Sequence, residues 1–412
     1  MQMNLNKKLN FLFIARDKYP PFRVDISVLF GKEFVQRGHK IDFLLQSDKE
    51  ITTFSNVKWM NSRVFLGPTN NGNSIISRLH KYLLSLINDL RMFYLIKSSN
   101  YDFVQVKDKF IIAILALIIA KAFKKKFFFW LSYPFPESDI YEYRTGTARY
   151  PKLYYIRGIL IKFLLYYIIL PFSDHVFVQS DRMKLDVESH GISPHKISPV
   201  PMGVDVDDYS FPIGIDQNSD NNYIITYIGE MEKIRRIDFL LDVFKIVNDR
   251  IPNTCLYMIG GSSESTDLDF LKLYAKKLNI SKSTLFTGML PRNEALKFVF
   301  KSTVCLSPIY PNPIYIPSSP TKIVEYMLAE KPVVANDIPE QLKIIKESRA
   351  GLCVKYSKNL FAEAIVLLLS NPDLCETMGK RGKKYVLENR EYSIIADSLE
   401  KTYYNLIYPH YN

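Results

Sequence analysis

The chain has 412 residues with 47% hydrophobic and 23% charged content, which excludes a disordered or fibrous protein and indicates two globular domains. Its net charge of +12 lies entirely in residues 1–205, which hold 29 basic and 17 acidic residues, whereas residues 206–412 hold 25 of each. A basic half favours an anionic partner such as a membrane surface, a phosphorylated lipid or a nucleic acid, and the alternative is a solubility bias without a partner.

The first half of the chain alternates between strand-like and helical segments. The predicted strands are 10–15, 41–45, 63–66, 102–106, 127–131 and 175–179. The predicted helices are 24–37, 75–97, 110–120 and one that begins after Ser180. The N-terminal sequence has no long apolar core before a cleavage site, so we expect no signal peptide.

Two apolar stretches resemble membrane spans in composition. Residues 110–120 are too few to cross a bilayer and lie between two predicted strands, so we interpret them as a buried crossover helix. Residues 154–170 include Arg157 and Lys162. A basic, aromatic-rich helix of this kind suits a membrane interface, and the alternative is a helix buried against the sheet or the other domain.

The second half repeats the alternation after a polar linker at 216–222. Its predicted strands are 223–228, 254–259, 284–287, 304–307, 332–335 and 351–354. Strands alternating with helices predict an α/β protein with two Rossmann-like, doubly wound domains, whose ligand cleft lies at the carboxyl edges of the sheets. We expect an N-terminal domain at 1–205 and a C-terminal domain at 206–392, with the last helix, 393–407, packing back on the first domain.

Neither the cysteines nor the acidic pairs predict a metal site. The four cysteines form no CxxC pair, and three lie in apolar strand-like runs, which is typical of buried, reduced thiols in a cytosolic protein. Two DxD pairs occur, at 205–207 and 267–269. We interpret both as structural, because so short a pattern is weak in a chain with 42 acidic residues.

Two segments of the second half carry the features of an anion site. Gly229 ends a predicted strand and is followed by Arg235 just before a helix, where backbone N–H groups and the helix dipole favour phosphate. In the second segment, Ser319 is a predicted N-cap and Pro320 the first helical residue, which places the N–H groups of Thr321 and Lys322 at an exposed helix start.

A carboxylate lies about one turn deeper in this second helix. Glu325 falls on the same face as Thr321 and Lys322. It can accept ribose hydroxyls, as acidic residues do in dinucleotide sites, and the alternative is an ordinary surface glutamate. Burial of Glu325 would require a partner for its charge.

The run SSPTKIVEYMLAEKPVVANDIPEQ resembles the nucleotide-binding segment of the retaining glycosyltransferases of family four, which have the GT-B fold. Segments beginning at Arg16, Val178, Tyr227 and Thr284 resemble further parts of that family in the same order. The resemblance covers residues 10–407 and implies two Rossmann-like domains facing a central cleft.

The resemblance also implies roles for individual residues. Arg235 would meet the diphosphate near Gly229, and Thr321 and Lys322 would hold phosphate beside Ser319. Glu325 would bind ribose hydroxyls, and the backbone near Met289 and Leu290 would face the base. Arg235 and Lys322 are therefore the main catalytic candidates.

Three positions depart from the family pattern. Glu230 follows the loop glycine where a basic or polar residue is common, and it would repel phosphate if it pointed inward. The family's paired glutamates are eight residues apart, but Pro317 stands eight residues before Glu325. The glycine-rich turn after the first strand is replaced by YPPFR at 19–23. The sequence therefore does not identify the donor sugar.

The acceptor side has weaker candidates. Glu137 and Asp139 follow the predicted strand 127–131 and are expected at the edge of the sheet, with Glu137 as a further catalytic candidate. Arg23 and Asp25, in the first loop, are the other acceptor-side candidates.

These features predict an enzyme that transfers a hexose-type sugar from a nucleoside diphosphate sugar, expected to carry UDP, to an acceptor hydroxyl. The resemblance implies retention. We expect a glycan or lipid-linked acceptor in cell-surface glycan or glycolipid synthesis, and a cytoplasmic location, peripheral on the inner face of the cell membrane. We expect no cofactor, no metal and no nucleic acid. The alternatives are a sugar-nucleotide epimerase of the same fold and a non-catalytic membrane-binding protein.

Overall fold

The computed structural model describes residues 7–70, 72, 74–209 and 222–408, and they form two compact units. The first unit contains the described residues up to Met202 together with those from Tyr392 onward. The second unit is Gly203–Glu391. Residues 216–221 of the predicted linker lie outside the described residues, so its structure stays a prediction.

An eight-stranded sheet organises the first unit. Its strands are β1 (Asn10–Tyr19), β2 (Lys40–Ser47), β3 (Ser55–Trp59), β4 (Ser62–Gly67), β5 (Phe103–Lys107), β6 (Lys126–Leu131), β7 (His175–Val178) and β8 (Ile197–Pro199). The strand order is β3-β4-β2-β1-β5-β6-β7-β8, and every neighbouring pair is parallel except β3 and β4. The sequence predicted the long apolar strands of this sheet and missed β3 and β8 at its two ends.

Helices connect these strands. They are α1 (Ile75–Asp89), α2 (Met92–Ser98), α3 (Phe110–Ala122), α4 (Phe135–Thr145), α5 (Pro151–Phe163), α6 (Leu170–Phe172) and α7 (Asp181–Glu188), with π-helical segments at Asp25–Phe34 and Leu164–Ile169. The single helix predicted at 75–97 is two helices. Ser180 caps α7 by accepting a hydrogen bond from the backbone N–H of Met183 at 3.0 Å.

The sheet of the first unit is covered on both faces. In β1 the side chains alternate, so that Leu12 and Ile14 pack in one core and Phe11 and Phe13 in the other. The last helix, α15 (Tyr392–Ile407), covers the second of these faces. Its Tyr403 is fully buried and stacks on Phe103 at 4.9 Å between ring centroids. The end of the chain is therefore part of the first unit's core.

The apolar helix at 151–172 is only partly buried. Its segment Leu164–Ile169 contributes Leu165, Tyr166 and Ile169 to the core. In α5, by contrast, Gly158 alone is buried. The helix is long and apolar enough to cross a membrane by length and composition, and 28% of its most apolar window is buried. The C-terminal part of this helix is therefore buried against the sheet, as one of the two interpretations of its sequence predicted.

A six-stranded, fully parallel sheet organises the second unit. Its strands are β9 (Tyr223–Ile228), β10 (Thr254–Ile259), β11 (Thr284–Gly288), β12 (Val304–Ser307), β13 (Val333–Asn336) and β14 (Gly351–Val354), in the order β11-β10-β9-β12-β13-β14. Its helices are α8 (Asp238–Arg250), α9 (Ser265–Lys277), α10 (Arg292–Lys301), α11 (Thr321–Leu328), α12 (Pro339–Ser348), α13 (Lys358–Leu369) and α14 (Pro372–Asn389). Strand order reverses between β9 and β12, and the carboxyl edge beside such a reversal is where open α/β sheets bind ligands.

Candidate active site

The loop after β9 lies against the start of α11. Gly229 has a φ of +153°, and a Cβ at this position would lie 2.8 Å from Tyr227 Oη and 2.9 Å from Lys322 Nζ. Tyr326 of α11 also accepts a hydrogen bond from the backbone N–H of Ile228 at 2.8 Å. Any side chain in place of Gly229 would therefore occupy the space in front of the Lys322 ammonium.

Helix α11 begins one residue later than its sequence pattern predicts. Its first residue is Thr321, with Pro320 at the N-cap position, so the predicted N-cap role of Ser319 is wrong. Pro320 has no N–H and an extended backbone, with φ −76° and ψ 121°. The N–H groups of Thr321, Lys322 and Ile323 have no partner within the helix, because the first turn of any α-helix leaves its donors unused.

Lys322 and Arg235 bring two cations to this helix start. The Lys322 ammonium is 4.3 Å from the centre of the Tyr227 ring, and the Arg235 guanidinium is 5.3 Å from that of Tyr315. Burial, reinforced by the positive charge of Arg235, lowers the pKa of Lys322 to about 7. The two predicted phosphate-binding cations therefore lie close enough to repel one another, which a bound dianion would relieve.

Glu230, the first departure from the family pattern, holds Arg235. The two side chains form an ion pair between Glu230 Oε2 and Arg235 Nη2, and they are 54% and 32% exposed. Burial would lower the pKa of Arg235, but Tyr315 and Glu230 raise it. The predicted diphosphate ligand is thus paired with a carboxylate in the free protein.

Glu325 pairs with an arginine that the sequence analysis did not single out. Its Oε1 atom lies 2.9 Å from Arg292 Nη2, and Arg292 Nε lies 3.3 Å from Oδ2 of Asp208. The Glu325 side chain is 16% exposed. The sequence predicted only that a buried Glu325 would need a partner for its charge, and it did not identify Arg292 as that partner.

The predicted base loop lies at the ends of neighbouring strands. The backbone N–H of Gly260, after β10, donates to the carbonyl of Gly288 at 3.1 Å. A Cβ on Gly261 would lie 3.1 Å from Cγ of Met289. Met289 itself is 72% exposed, and Leu290 is half-buried. An exposed apolar side chain beside these glycines provides a surface on which a planar base can stack.

In the first unit, Arg23 and Asp25 belong to a buried ionic network. Lys107 Nζ lies 2.8 Å from Asp25 and 3.1 Å from Asp17, and Arg23 Nε lies 3.2 Å from Asp25. Burial would raise the pKa of Asp25, but Lys107 and Arg23 hold it at about 2. Arg23 is the most exposed member, at 40%, so it is the member that a ligand can reach. Its acceptor role stays a prediction.

Glu137 and Asp139 are both paired with α5. Asp139 accepts two hydrogen bonds from Arg157, each at 2.6 Å, and is buried. Glu137 lies 3.5 Å from the ammonium of Lys162. These contacts fix α4 on α5 and give the two carboxylates a structural use, while their role toward a substrate stays a prediction.

Residues of both DxD pairs accept hydrogen bonds within the second unit. Asp267 accepts hydrogen bonds from the backbone N–H of Lys233 at 3.0 Å and from the hydroxyl of Ser262 at 2.9 Å. Asp205 accepts one from the backbone N–H of Asp207 at 3.2 Å. Within the described ranges, no three His, Cys, Asp or Glu side chains cluster as a metal site would require.

Two family models match the chain. The model described as Glycosyltransferase Family 4 matches residues 28–208, and that described as Glycosyl transferases group 1 matches residues 213–385. Together they cover most of the first unit and nearly all of the second.

Curated relatives carry glycosyltransferase names. An uncharacterized glycosyltransferase of Haemophilus influenzae is 27% identical over 175 residues, which is 42% of this chain and 46% of that protein. The capsular polysaccharide biosynthesis glycosyltransferase CapM of Staphylococcus aureus is 24% identical over 186 residues, 44% of this chain and 46% of that protein. The chain thus spans about half the length of these two relatives.

Solved structures match over almost the whole chain. Sucrose-phosphate synthase from Thermosynechococcus elongatus superposes with a TM-score of 0.72 and 18% identity, covering 97% of this chain and 99% of that one. Anabaena Alr3699/HepE in complex with UDP-glucose superposes with a TM-score of 0.67 and 12% identity, covering 96% and 99%. With both family models matched in order and the fold shared from end to end, the chain belongs to the glycosyl transferases of group 1, family four, and has the GT-B fold predicted from its sequence.

Proposed function

We propose that the chain transfers a sugar from a nucleoside diphosphate sugar, with UDP as the nucleotide, to an acceptor hydroxyl with retained anomeric configuration. One observation carries the proposal: Gly229, Lys322 and Arg235 converge on the start of α11. Retention rests on membership of the family. HepE, a structural neighbour, has been crystallised with UDP-glucose, which supports the choice of nucleotide.

The proposed chemistry at this point is stabilisation of a departing diphosphate. When the bond between sugar and phosphate breaks, negative charge grows on the diphosphate oxygen. The Lys322 ammonium, the Arg235 guanidinium and the N–H groups at the start of α11 lie where they can bind that charge. Fixed donors in a partly buried site lower the barrier because they need little reorganisation as the charge develops. We propose that these groups suffice without a metal ion.

Nucleotide recognition is assigned to neighbouring elements. Glu325 lies one helical turn beyond Lys322, so its carboxylate can accept hydrogen bonds from ribose hydroxyls while Lys322 binds phosphate. Met289 and Leu290 follow β11 and supply the surface for the base. Other residues must recognise the donor sugar, because Pro317 stands where the family has a glutamate that would contact it.

The direct test is binding of UDP measured by calorimetry. We expect Arg235→Ala and Glu325→Ala to weaken UDP binding at least tenfold, as loss of a hydrogen bond to a charged group does on the order of magnitude. Lys380→Ala, which removes an exposed lysine paired with Glu376, serves as the control and should leave binding unchanged. Equal binding by all variants would contradict the assignment.

Product analysis separates transfer from epimerisation. An epimerase of the same fold would convert a UDP-sugar without an acceptor, whereas a transferase releases UDP in quantity when acceptor is added. UDP release that depends on acceptor supports the proposal. Conversion of the UDP-sugar with no acceptor present would favour the epimerase.

We further propose that the acceptor is lipid-linked or part of a surface glycan, and that the first unit lies on the anionic, cytoplasmic face of the cell membrane. Helix α5 presents an apolar stripe in which Ile156, Leu160 and Phe163 are 64%, 55% and 53% exposed. Arg157 and Lys162 flank this stripe; each is paired with a carboxylate of α4, and their side chains are still 41% and 39% exposed. A bilayer interface accommodates exposed apolar residues and basic residues together. The +12 charge of the first half of the sequence supports an anionic surface.

Helix α1 also carries exposed apolar residues. Its residues Ile76, Leu79 and Leu83 are 81%, 61% and 50% exposed at helical spacing. A second exposed apolar stripe in the first unit adds area that can insert among lipid head groups.

Vesicle co-sedimentation tests this placement. We expect binding to vesicles containing phosphatidylglycerol and little binding to pure phosphatidylcholine. The double variant Ile156→Glu, Leu160→Glu should lose binding, and Leu273→Glu, at a position 64% exposed in the second unit, is the control. Equal binding of both vesicle types, or no effect of the double variant, would overturn the membrane proposal.

A further inference from the structure

Arg292 joins three elements of the second unit. It is the first residue of α10 and follows the Met289–Pro291 loop proposed to contact the base. Its guanidinium reaches Glu325 of α11 at 2.9 Å and Asp208 at 3.3 Å. The Arg292 side chain is 35% exposed, so part of its surface remains open.

The electrostatic setting keeps this group charged. Burial would lower the pKa of Arg292, but Glu325, Tyr209 and Asp208 raise it. Burial of its hydroxyl raises the pKa of Tyr209 well above the ordinary value, and the Glu325 carboxylate adds to the rise. Arg292 therefore stays a cation between two carboxylates, and Glu325 keeps its counter-charge.

We infer that Arg292 is a positioning residue for ribose recognition: it holds one oxygen of Glu325, Oε1, so that the other oxygen is presented to the hydroxyls of the sugar. A glutamate side chain has several rotamers, and an unpaired one would lose side-chain freedom on binding ribose. The guanidinium fork of Arg292 forms ion pairs with both Asp208 and Glu325, which restricts the carboxylate before the ligand arrives. The inference rests on the proposed nucleotide binding and adds a residue to it.

The same contact links two parts of the nucleotide site. Because Arg292 begins α10 directly after Met289, Leu290 and Pro291, a shift of that loop moves the guanidinium that orients Glu325. Recognition of the base and recognition of the ribose are then coupled through one side chain.

Discrimination between UDP and 2′,3′-dideoxy-UDP tests the inference, since a purely structural role would change both affinities alike. We expect the native protein to prefer UDP by about tenfold or more, which corresponds to hydrogen bonds with a charged acceptor. Arg292→Met should reduce that preference to about twofold while the affinity for the dideoxy nucleotide changes little. Arg292→Lys keeps the charge and loses the fork, so its preference should fall between the two.

The outcomes are distinguishable. If the native protein does not bind UDP, the proposed function fails and the inference fails with it. If it binds UDP but does not prefer it over the dideoxy nucleotide, the proposed sugar transfer stands, whereas the ribose role of Glu325 and the inference are both overturned. Undiminished preference in Arg292→Met, or in Arg292→Lys where the methionine variant does not fold, also overturns the inference.

Discussion

Replacement of Glu230 should strengthen nucleotide binding. In the free protein its carboxylate pairs with Arg235, the proposed ligand of the diphosphate. An incoming diphosphate must break this pair and then lie near the remaining negative charge. Glu230→Gln keeps the shape of the side chain and removes the charge, so Arg235 becomes available and the repulsion disappears.

The size of the effect follows from exposure. Glu230 is 54% and Arg235 32% exposed, so the pair contributes about 0.2–1 kcal/mol, as partly solvated ion pairs do. Relief of repulsion between the carboxylate and a diphosphate a few ångströms away adds about 1 kcal/mol at a solvent-accessible site. Together these effects correspond to a gain in UDP affinity of roughly tenfold, where about 1.4 kcal/mol is one factor of ten.

Isothermal titration with UDP at low and high ionic strength measures this gain. The improvement should shrink at high salt, because exposed charges are screened. Glu232→Gln is the matched control: it makes the same charge change in the same loop, but its carboxylate lies 3.3 Å from the Ser263 hydroxyl. An equal gain in UDP affinity in the control variant would show that the effect comes only from the change in net charge. Weaker UDP binding by Glu230→Gln would refute the reasoning and make Glu230 a contact to the ligand.

Three further outcomes are expected. Burial and Arg235 lower the pKa of Lys322 to about 7, and a bound diphosphate would raise it, so binding takes up a proton above that pH. UDP affinity should fall by up to about tenfold per pH unit above about pH 7, and Lys322→Arg should abolish this fall in calorimetry. Gly229→Ala should weaken UDP binding, because its methyl group would displace the Lys322 ammonium, which lies 2.9 Å from the Cβ position, whereas Gly146→Ala, also at positive φ but with open space around its Cβ, should bind normally. Tyr403→Ala should destabilise the first unit by about 3–5 kcal/mol in chemical denaturation, and Ile394→Ala, 40% exposed in the same helix, by much less.

The sequence predicted the strands that are buried on both sides. β9, β10 and β12 are short apolar runs bounded by polar residues, which is the pattern of a central parallel strand, and their predicted limits agree with the structure. β3, with the sequence SNVKW, is paired on one side only and half exposed. Its pattern was too short and too polar to stand out, since an edge strand carries little of the hydrophobic signal.

The site was predictable where one segment holds the whole arrangement. Lys322 and Glu325 lie one turn apart in a single helix, so local spacing was enough to place them together. Arg292 is 33 residues from Glu325, and no local pattern relates the two. Asp139 is a second example. Its position after a strand suggested a substrate contact, but both of its carboxylate oxygens accept hydrogen bonds from Arg157 in the next helix. Pairing over such distances depends on how helices pack, which the linear pattern does not give.

The charges at the start of α11 are arranged unfavourably for the protein alone. Lys322 lies half-buried beside Arg235, and the carboxylates of Glu325 and Glu230 affect its pKa less than burial and that arginine do. Placing an ammonium in a partly buried site beside another cation costs free energy, and the low pKa of Lys322 reflects that cost. A core under no functional constraint would place an apolar side chain here. A dianion that binds between the two cations attracts both of them and thereby offsets their mutual repulsion, which is the role proposed for the diphosphate.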